Sequence, residues 1–303
     1  MLPELAPIAL FTFKRAKHTE RTLRSLAQNP EFVRSPLYIY CDGARHPDEK
    51  AAVDATRVVA REWPHPRKQV YEADSNRGLA NSIVSGVNQL CSRHGCAIVI
   101  EDDLVLSVRF LAYMNEALDR YKSVREVMQV SGHMFPIPPS NTAEAALLRL
   151  TTSWGWATWK RAWDHFDASD IQGANSILKS IRQRFAFDFN GAYPFSRMLS
   201  DQIAGKNDSW AIWWYLAVYK KNGLGLFPAQ SLVLNAGFDG TGTHAGHKGR
   251  GDRISAQEIP ELFPAEIVEN SVVRSLVRRQ LIKERGLAAY LKDSYFRFFQ
   301  NSL

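Results

Sequence analysis

Several common signatures are missing from these 303 residues, and each absence narrows the field. Cysteine occurs only at Cys41, Cys91 and Cys96, with no CxxC spacing. An odd, scattered set argues against a disulfide framework and a cysteine zinc site, and it favours a reducing compartment, the cytoplasm. No apolar run approaches the ~20 residues of a membrane-spanning helix. Met1–His18 also lacks the apolar core and small-residue cleavage site of a secretory signal. No GxGxxG follows the first apolar run and no GxxxxGKS/T occurs, which disfavours dinucleotide-binding and P-loop enzymes. There is no internal repeat and no low-complexity tract.

What remains is an ordinary globular composition, 45% apolar and 23% charged, with a formal net charge of +7. That charge predicts an anionic partner: a phosphorylated substrate or an anionic membrane surface. Basic residues are spread along the chain without a nucleic-acid arm, so nucleic acid is not an expected partner.

The most informative stretch is Ala97–Asp103, where Ala-Ile-Val-Ile runs into Glu101, Asp102 and Asp103. A short continuous apolar run fits a strand buried on both faces. Three unpaired carboxylates cannot follow it into the core. They must emerge at the strand's C-terminal end, where open α/β sheets bind ligands. Hard oxygens there suit Mg²⁺ or Mn²⁺.

Upstream, Ile8–Phe13, Leu37–Cys41 and Gln69–Glu72 read as strands. Between and after them lie helices at about Thr19–Gln28, Pro47–Glu62 and Gly78–Arg93, and a further helix follows at Ser107–Lys122. This alternation predicts right-handed βαβ units: an α/β fold with a mostly parallel, Rossmann-like sheet flanked by helices. Three segments are expected: residues 1–135 for the nucleotide, 136–250 for the acceptor and catalysis, and 251–303 as a basic helical extension.

On that reading Thr12, Arg15, Asp42, Arg77 and Asn81 gather at the same sheet edge as the acids. Asp42 could accept from a uracil N3–H or a ribose hydroxyl, or could be a turn aspartate before Gly43. Arg15, Arg77 and Asn81 could meet phosphate or sugar. Four tryptophans crowd Thr152–Asp164. Trp159 and Trp163 read as core, whereas Trp154 and Trp156, flanking Gly155, could form a loop platform for sugar rings. Ser200–Lys221 reads as one helix, with Asp208 either capping it or serving as an acid at the cleft mouth. Gly223–Leu234 reads as a short β segment. His244 lies in a glycine-rich loop and could be a metal or pyrophosphate ligand. Ser271–Leu303 carries seven basic side chains against two acidic ones, interleaved with Val273, Leu276, Val277, Leu281 and Ile282. It reads as a basic amphipathic surface for an anionic membrane or acidic partner, or as a docked helix with a solvated face.

Taken together, Thr-Phe-Lys-Arg after strand one, Tyr-Cys-Asp-Gly after strand two, Asn76-Arg77-Gly78-Leu79-Ala80 and Glu101-Asp102-Asp103 resemble the GT-A fold nucleotide-diphospho-sugar glycosyltransferases. The likeness spans about residues 7–250 and is strongest to bacterial sugar transferases of surface-polysaccharide clusters. It extends more distantly to the Golgi N-acetylglucosaminyltransferase that begins complex N-glycan branching. The resemblance implies metal-assisted, inverting transfer from a nucleotide-diphospho-sugar, expected to be a UDP-sugar, to a glycan or lipid-linked acceptor. In that picture Asp103 and His244 serve the divalent cation, and Glu101 and Asp102 contact ribose or donor sugar. Thr12, Arg15, Asp42, Arg77 and Asn81 line the nucleotide, Trp154, Gly155 and Trp156 meet the acceptor, and Asp208 is the base. Asp201 and Asp239 are rival bases, because Asp208 follows Asn207 rather than another acid. A lipid-linked acceptor would place the protein at the inner face of the cell membrane. A nucleotidyltransferase and a non-catalytic carbohydrate-binding protein are the alternatives.

Overall fold

The computed structural model describes residues 5–138, 144–237, 262–286, 289–291 and 293. Four strand–helix units come first. β1 (Ile8–Thr12) leads to α1 (Ala16–Ala27), β2 (Leu37–Cys41) to α2 (Lys50–Glu62), and β3 (Lys68–Glu72) to α3 (Leu79–His94). β4 (Cys96–Glu101) is followed by a short β5 (Leu104–Leu106) and α4 (Phe110–Arg120). Next come β6 (Val127–Ser131), β7 (Ala146–Leu148), β8 (Trp156–Trp159), the single turn α5 (Lys160–Trp163), α6 (Ile171–Leu178) and α7 (Ile181–Phe187). The chain continues through α8 (Phe195–Ile203), α9 (Trp210–Lys220), β9 (Leu224–Phe227), β10 (Val233–Asn235) and α10 (Ser271–Arg285).

One eight-stranded sheet has the order β3-β2-β1-β4-β8-β6-β9-β7, and β5 pairs separately with β10. The pairs β2–β3, β1–β2, β1–β4 and β6–β9 are parallel; β8 runs antiparallel to β4 and β6, and β7 antiparallel to β9. The fold is therefore α/β with a mixed, largely parallel sheet. The C-terminal ends of β1, β2, β3, β4, β6 and β9 share one edge with the N-terminal ends of β7 and β8.

Alternation along each strand divides the core between two faces. Ile8 and Leu10 pack with Leu23, Leu26, Phe110 and Met114 on the α1/α4 side. Ala9 and Phe11 pack with Ile83, Val87 and a tryptophan group on the α3/α5/α9 side. Both faces of β1 and β4 are covered, which is why their apolar runs are continuous.

Two sequence expectations are corrected. The stretch read as one helix, Ser200–Lys221, is two helices broken at 204–209, where Gly205 takes φ +66. Residues 156–159 form an inner strand, so Trp156 is fully buried, stacked on Trp210 at 5.0 Å and tilted against Trp214 at 6.3 Å. It cannot offer a ring to an acceptor. Trp159 and Trp163 are buried as expected.

Of the two readings of the basic C-terminal segment, residues 271–285 take that of a docked helix, with the apolar stripe facing the protein. Val277 and Leu281 are buried against the α6–α9 cluster, with Val273 and Ile282 beside them. Arg278 donates to the Asn190 carbonyl, Arg285 to that of Ala192, and Arg285 also pairs with Asp293. Arg279 and Lys283 stay exposed on the opposite face. No described helix is long and apolar enough to cross a membrane.

Candidate functional site

The three acids emerge where β4 ends, and the parallel registers bring Phe11 beside Glu101 and Thr12 beside Cys41. Glu101, Asp102 and Asp103 are half-buried. Asp102 Oδ2 accepts from the Phe13 amide at 3.3 Å, and the Asp102 and Leu104 carbonyls both accept from the buried Thr22 hydroxyl. Asp103 pairs with Arg15 Nη1 at 3.2 Å, and Arg15 Nη2 lies 2.7 Å from His18 Nε2. The triplet is also held from above. β10 aligns Asn235 with Leu104, and the Ala236 amide donates to the Asp103 carbonyl at 2.8 Å. Gly237 follows directly, and a Cβ there would stand 2.2 Å from Asp103 Oδ2, so only glycine permits this approach.

Clustering the acids in a low-dielectric edge raises their affinity for protons. Burial first, then the Asp103 and Asp102 charges, push Glu101 up to about 8. Burial and Asp103 push Asp102 up to about 7, against the Phe13 amide and Arg15. Burial raises Asp103 too, opposed by Arg15 and His18. Three neighbouring carboxylates at one sheet edge are the kind of hard oxygen donors that a divalent cation takes. Among the described residues no three His, Cys, Asp or Glu side chains converge on one point. His244 and Asp239 lie outside the described residues.

Asp42 stands apart from the role expected of it. Its Oδ1 accepts from the Gly43 and Arg77 amides, each at 2.8 Å, and its Oδ2 from the Asn76 side-chain amide and the Gly78 amide, each at 3.0 Å. Both oxygens are committed to the turn that opens α3, and the carboxylate is buried. Gly43 lets that turn close, because a Cβ there would lie 2.4 Å from the Ser75 carbonyl carbon. Thr12 is likewise turned inward, 5% exposed, with its hydroxyl toward the Tyr40 carbonyl and the Cys41 thiol. Neither side chain is presented to a nucleotide. Arg77, in the turn just before α3, and Asn81, on its first turn, are exposed, and Asn81 Nδ2 donates back to the Arg77 carbonyl at 2.9 Å.

Asp208 is exposed in the break between α8 and α9. It caps nothing: Ser209 is the N-cap of α9, without a side-chain cap bond, and the Ser209 amide donates to Gln202 Oε1. The Asp208 carboxylate instead faces the Asp42-held turn, with Oδ2 3.7 Å from the Cβ position of Gly78. Its rival Asp201 lies on α8 with Arg197 one turn away, 3.9 Å between their charged atoms. Trp154 is half-buried, edge-on to His133 at 4.7 Å between ring centres. Gly155 is buried, and its carbonyl accepts from the Gly132 amide at 2.6 Å. Of the three expected acceptor contacts, Trp154 alone has an accessible surface.

No protein-family description matches the chain, and no curated protein matches it. Among solved structures it is similar to a mannosyltransferase from Pyrobaculum calidifontis in complex with GDP-Man and Mn²⁺. The identity is 13% over 72% of each chain, with a TM-score of 0.39. It is also similar to a 4-diphosphocytidyl-2C-methyl-D-erythritol synthase from Anaerococcus prevotii, at 9% identity over 73% of this chain and 87% of that one, with a TM-score of 0.34. Likenesses this distant carry no inference about the chemistry of this chain, which rests on its own geometry.

That geometry adds residues the sequence did not mark. His18 supports Arg15 one helical turn on, a spacing that could have been noticed. Asn235 and Gly237 reach the triplet only through the β5–β10 pairing of segments far apart in the chain, for which no local signal exists.

Proposed function

We propose that the protein is an inverting glycosyltransferase that moves a sugar from a nucleotide-diphospho-sugar, a UDP-sugar in the first instance, to a hydroxyl of a glycan or lipid-linked acceptor. The observation that carries this reading is the gathering of Glu101, Asp102, Asp103, Arg15 and the Phe13 amide at the sheet edge, with a separate exposed carboxylate, Asp208, across the α3 turn. The first group suits a donor diphosphate and its sugar. Asp103 would hold Mn²⁺ or Mg²⁺, which when bound neutralises charge developing on the leaving diphosphate.

The remaining chemistry falls to the chain's own groups. An acceptor hydroxyl is a poor nucleophile at neutral pH, and a positioned carboxylate must take its proton as the new bond forms. Asp208 is suited to that: exposed, outside the acid cluster, and not committed to a helix cap. Arg15 offers a guanidinium for phosphate oxygens, which it gives to Asp103 in the free protein. Arg77, at the open end of α3, supplies a second cation beside backbone amides.

A thermal-shift screen of UDP-, GDP-, dTDP- and CMP-sugars, with and without Mn²⁺, tests the reading. A ligand at ~100 times its Kd stabilises by about 2.7 kcal/mol. One nucleotide class shifting in a metal-dependent way, followed by donor hydrolysis without acceptor, supports the transferase. Stabilisation by a nucleoside triphosphate, with pyrophosphate released from that triphosphate when a sugar phosphate is added, would make it a nucleotidyltransferase. No response to any donor or triphosphate would leave a carbohydrate-binding protein.

A further inference from the structure

The exposed face of α3 carries a groove of which the proposed chemistry uses only one end, Arg77 with the neighbouring Asp208. Its volume is about 630 Å³, and Asn76, Arg77, Asn81, Val84, Ser85 and Asn88 line it. Asn76 and Arg77 lie in the turn before the helix, and Asn81, Val84, Ser85 and Asn88 follow helical spacing and share one face of α3. The groove has a floor and two ends. Val84 packs against the tryptophan cluster with Ala211 of α9, so the floor is apolar and fixed. At the far end Asn88 Oδ1 accepts from the Trp163 indole at 2.7 Å. At the near end stands Gly78, with the Asp208 carboxylate beside it.

We infer that this groove is a saccharide subsite, which receives the sugar units of a neutral oligosaccharide acceptor and leads its reactive hydroxyl to Asp208. The inference rests on the transferase reading for its last step only. The lining selects the ligand class. Asn81 Oδ1, Asn88 Nδ2 and the Ser85 hydroxyl set neutral acceptors and donors along the groove, the match for vicinal sugar hydroxyls, whereas the Asn76 amide is committed to Asp42 and the Gly43 carbonyl. Arg77 is the single cation, so a diphosphate or polyanion would find too little positive charge along the groove. Val84 offers a small apolar surface for ring C–H groups. The volume lies within the ~300–1,000 Å³ range of small-molecule sites, enough for more than one sugar ring.

The test uses the full chain labelled with ¹⁵N and titrated with defined di- to tetrasaccharides of gluco-, galacto-, manno- and N-acetylhexosamine type. Side-chain amide signals of Asn81 and Asn88 are expected to move with at least one of them. Ser85→Trp, an exposed helix position whose fold is checked by its melting curve, should abolish that movement by filling the groove. If the enzyme transfers to that saccharide, the variant should raise its KM at least tenfold. Three outcomes overturn the inference: no saccharide moves those amides, nucleotide sugars move them instead, or Ser85→Trp binds and transfers as wild type. Donor hydrolysis without acceptor reports on the transferase separately. If saccharides bind and no donor is turned over, the subsite stands and the transferase reading falls.

Discussion

Asp42→Asn offers a sharp test of what that aspartate does. In the native protein each carboxylate oxygen receives two donors, at 2.8 Å on Oδ1 and 3.0 Å on Oδ2. An asparagine retains the shape but replaces one oxygen by an amino group, which then points two N–H groups at two donors. A buried donor left without an acceptor costs ~1–3 kcal/mol. Two such losses span ~2–6 kcal/mol, and about 3 kcal/mol, in the lower half of that span, suits amides that are only partly buried. At ~2–4 °C per kcal/mol for chains of moderate size, the melting temperature should fall by roughly 6 °C, the lower end applying to a longer chain. The assay is a melting curve of the free protein, paired with nucleotide-sugar affinity on the folded fraction. If Asp42→Asn melts within about 1 °C of wild type and only weakens nucleotide binding, Asp42 contacts the base and the turn-organising argument is wrong.

Further predictions follow from single sites. Asp208→Asn should slow transfer by ~10²–10⁴-fold, the worth of a general base, while the donor-induced melting shift remains; near-normal transfer would move the base elsewhere. Trp156→Ala should cost ~3–5 kcal/mol of stability as a core deletion, seen as a large fall in melting temperature, whereas a sugar platform would lose acceptor affinity alone. His133 is 6% exposed, and burial lowers its pKa to about 4. The unfolded chain protonates it near ~6.5, so its stabilising contribution is complete above that value and is lost as pH falls towards 4. The loss is about 3 kcal/mol. His133→Phe should flatten the fall in melting temperature between pH 7 and 4.5, and parallel curves for the two proteins would contradict the assignment.

Much of the N-terminal half was legible in the chain. Continuous apolar runs such as Ala97–Ile100 alternate with helical spacing such as Ile83, Val87 and Leu90, and these patterns come directly from burial on two faces of a sheet or on one face of a helix. Carboxylates ending a buried strand had only one place to go, so the location of Glu101–Asp103 followed from local sequence and desolvation cost. What each side chain does there did not follow. Asp42 could have faced a ligand or a turn. Residues 76–78, brought back by the β2–β3 pairing, decided it by supplying three of its four donors. Trp156 sits beside a glycine in a sequence that reads equally as loop or strand. Pairing with both β4 and β6 made it an inner strand and turned its ring into the core. Gly237 and Asn235 gained their place over Asp103 from β5 and β10, strands of only three residues that carry no periodicity to read. Local pattern determines which segments are strands and helices because it reports burial, whereas the partner of each polar atom depends on contacts distant in sequence and is settled only when the sheet assembles.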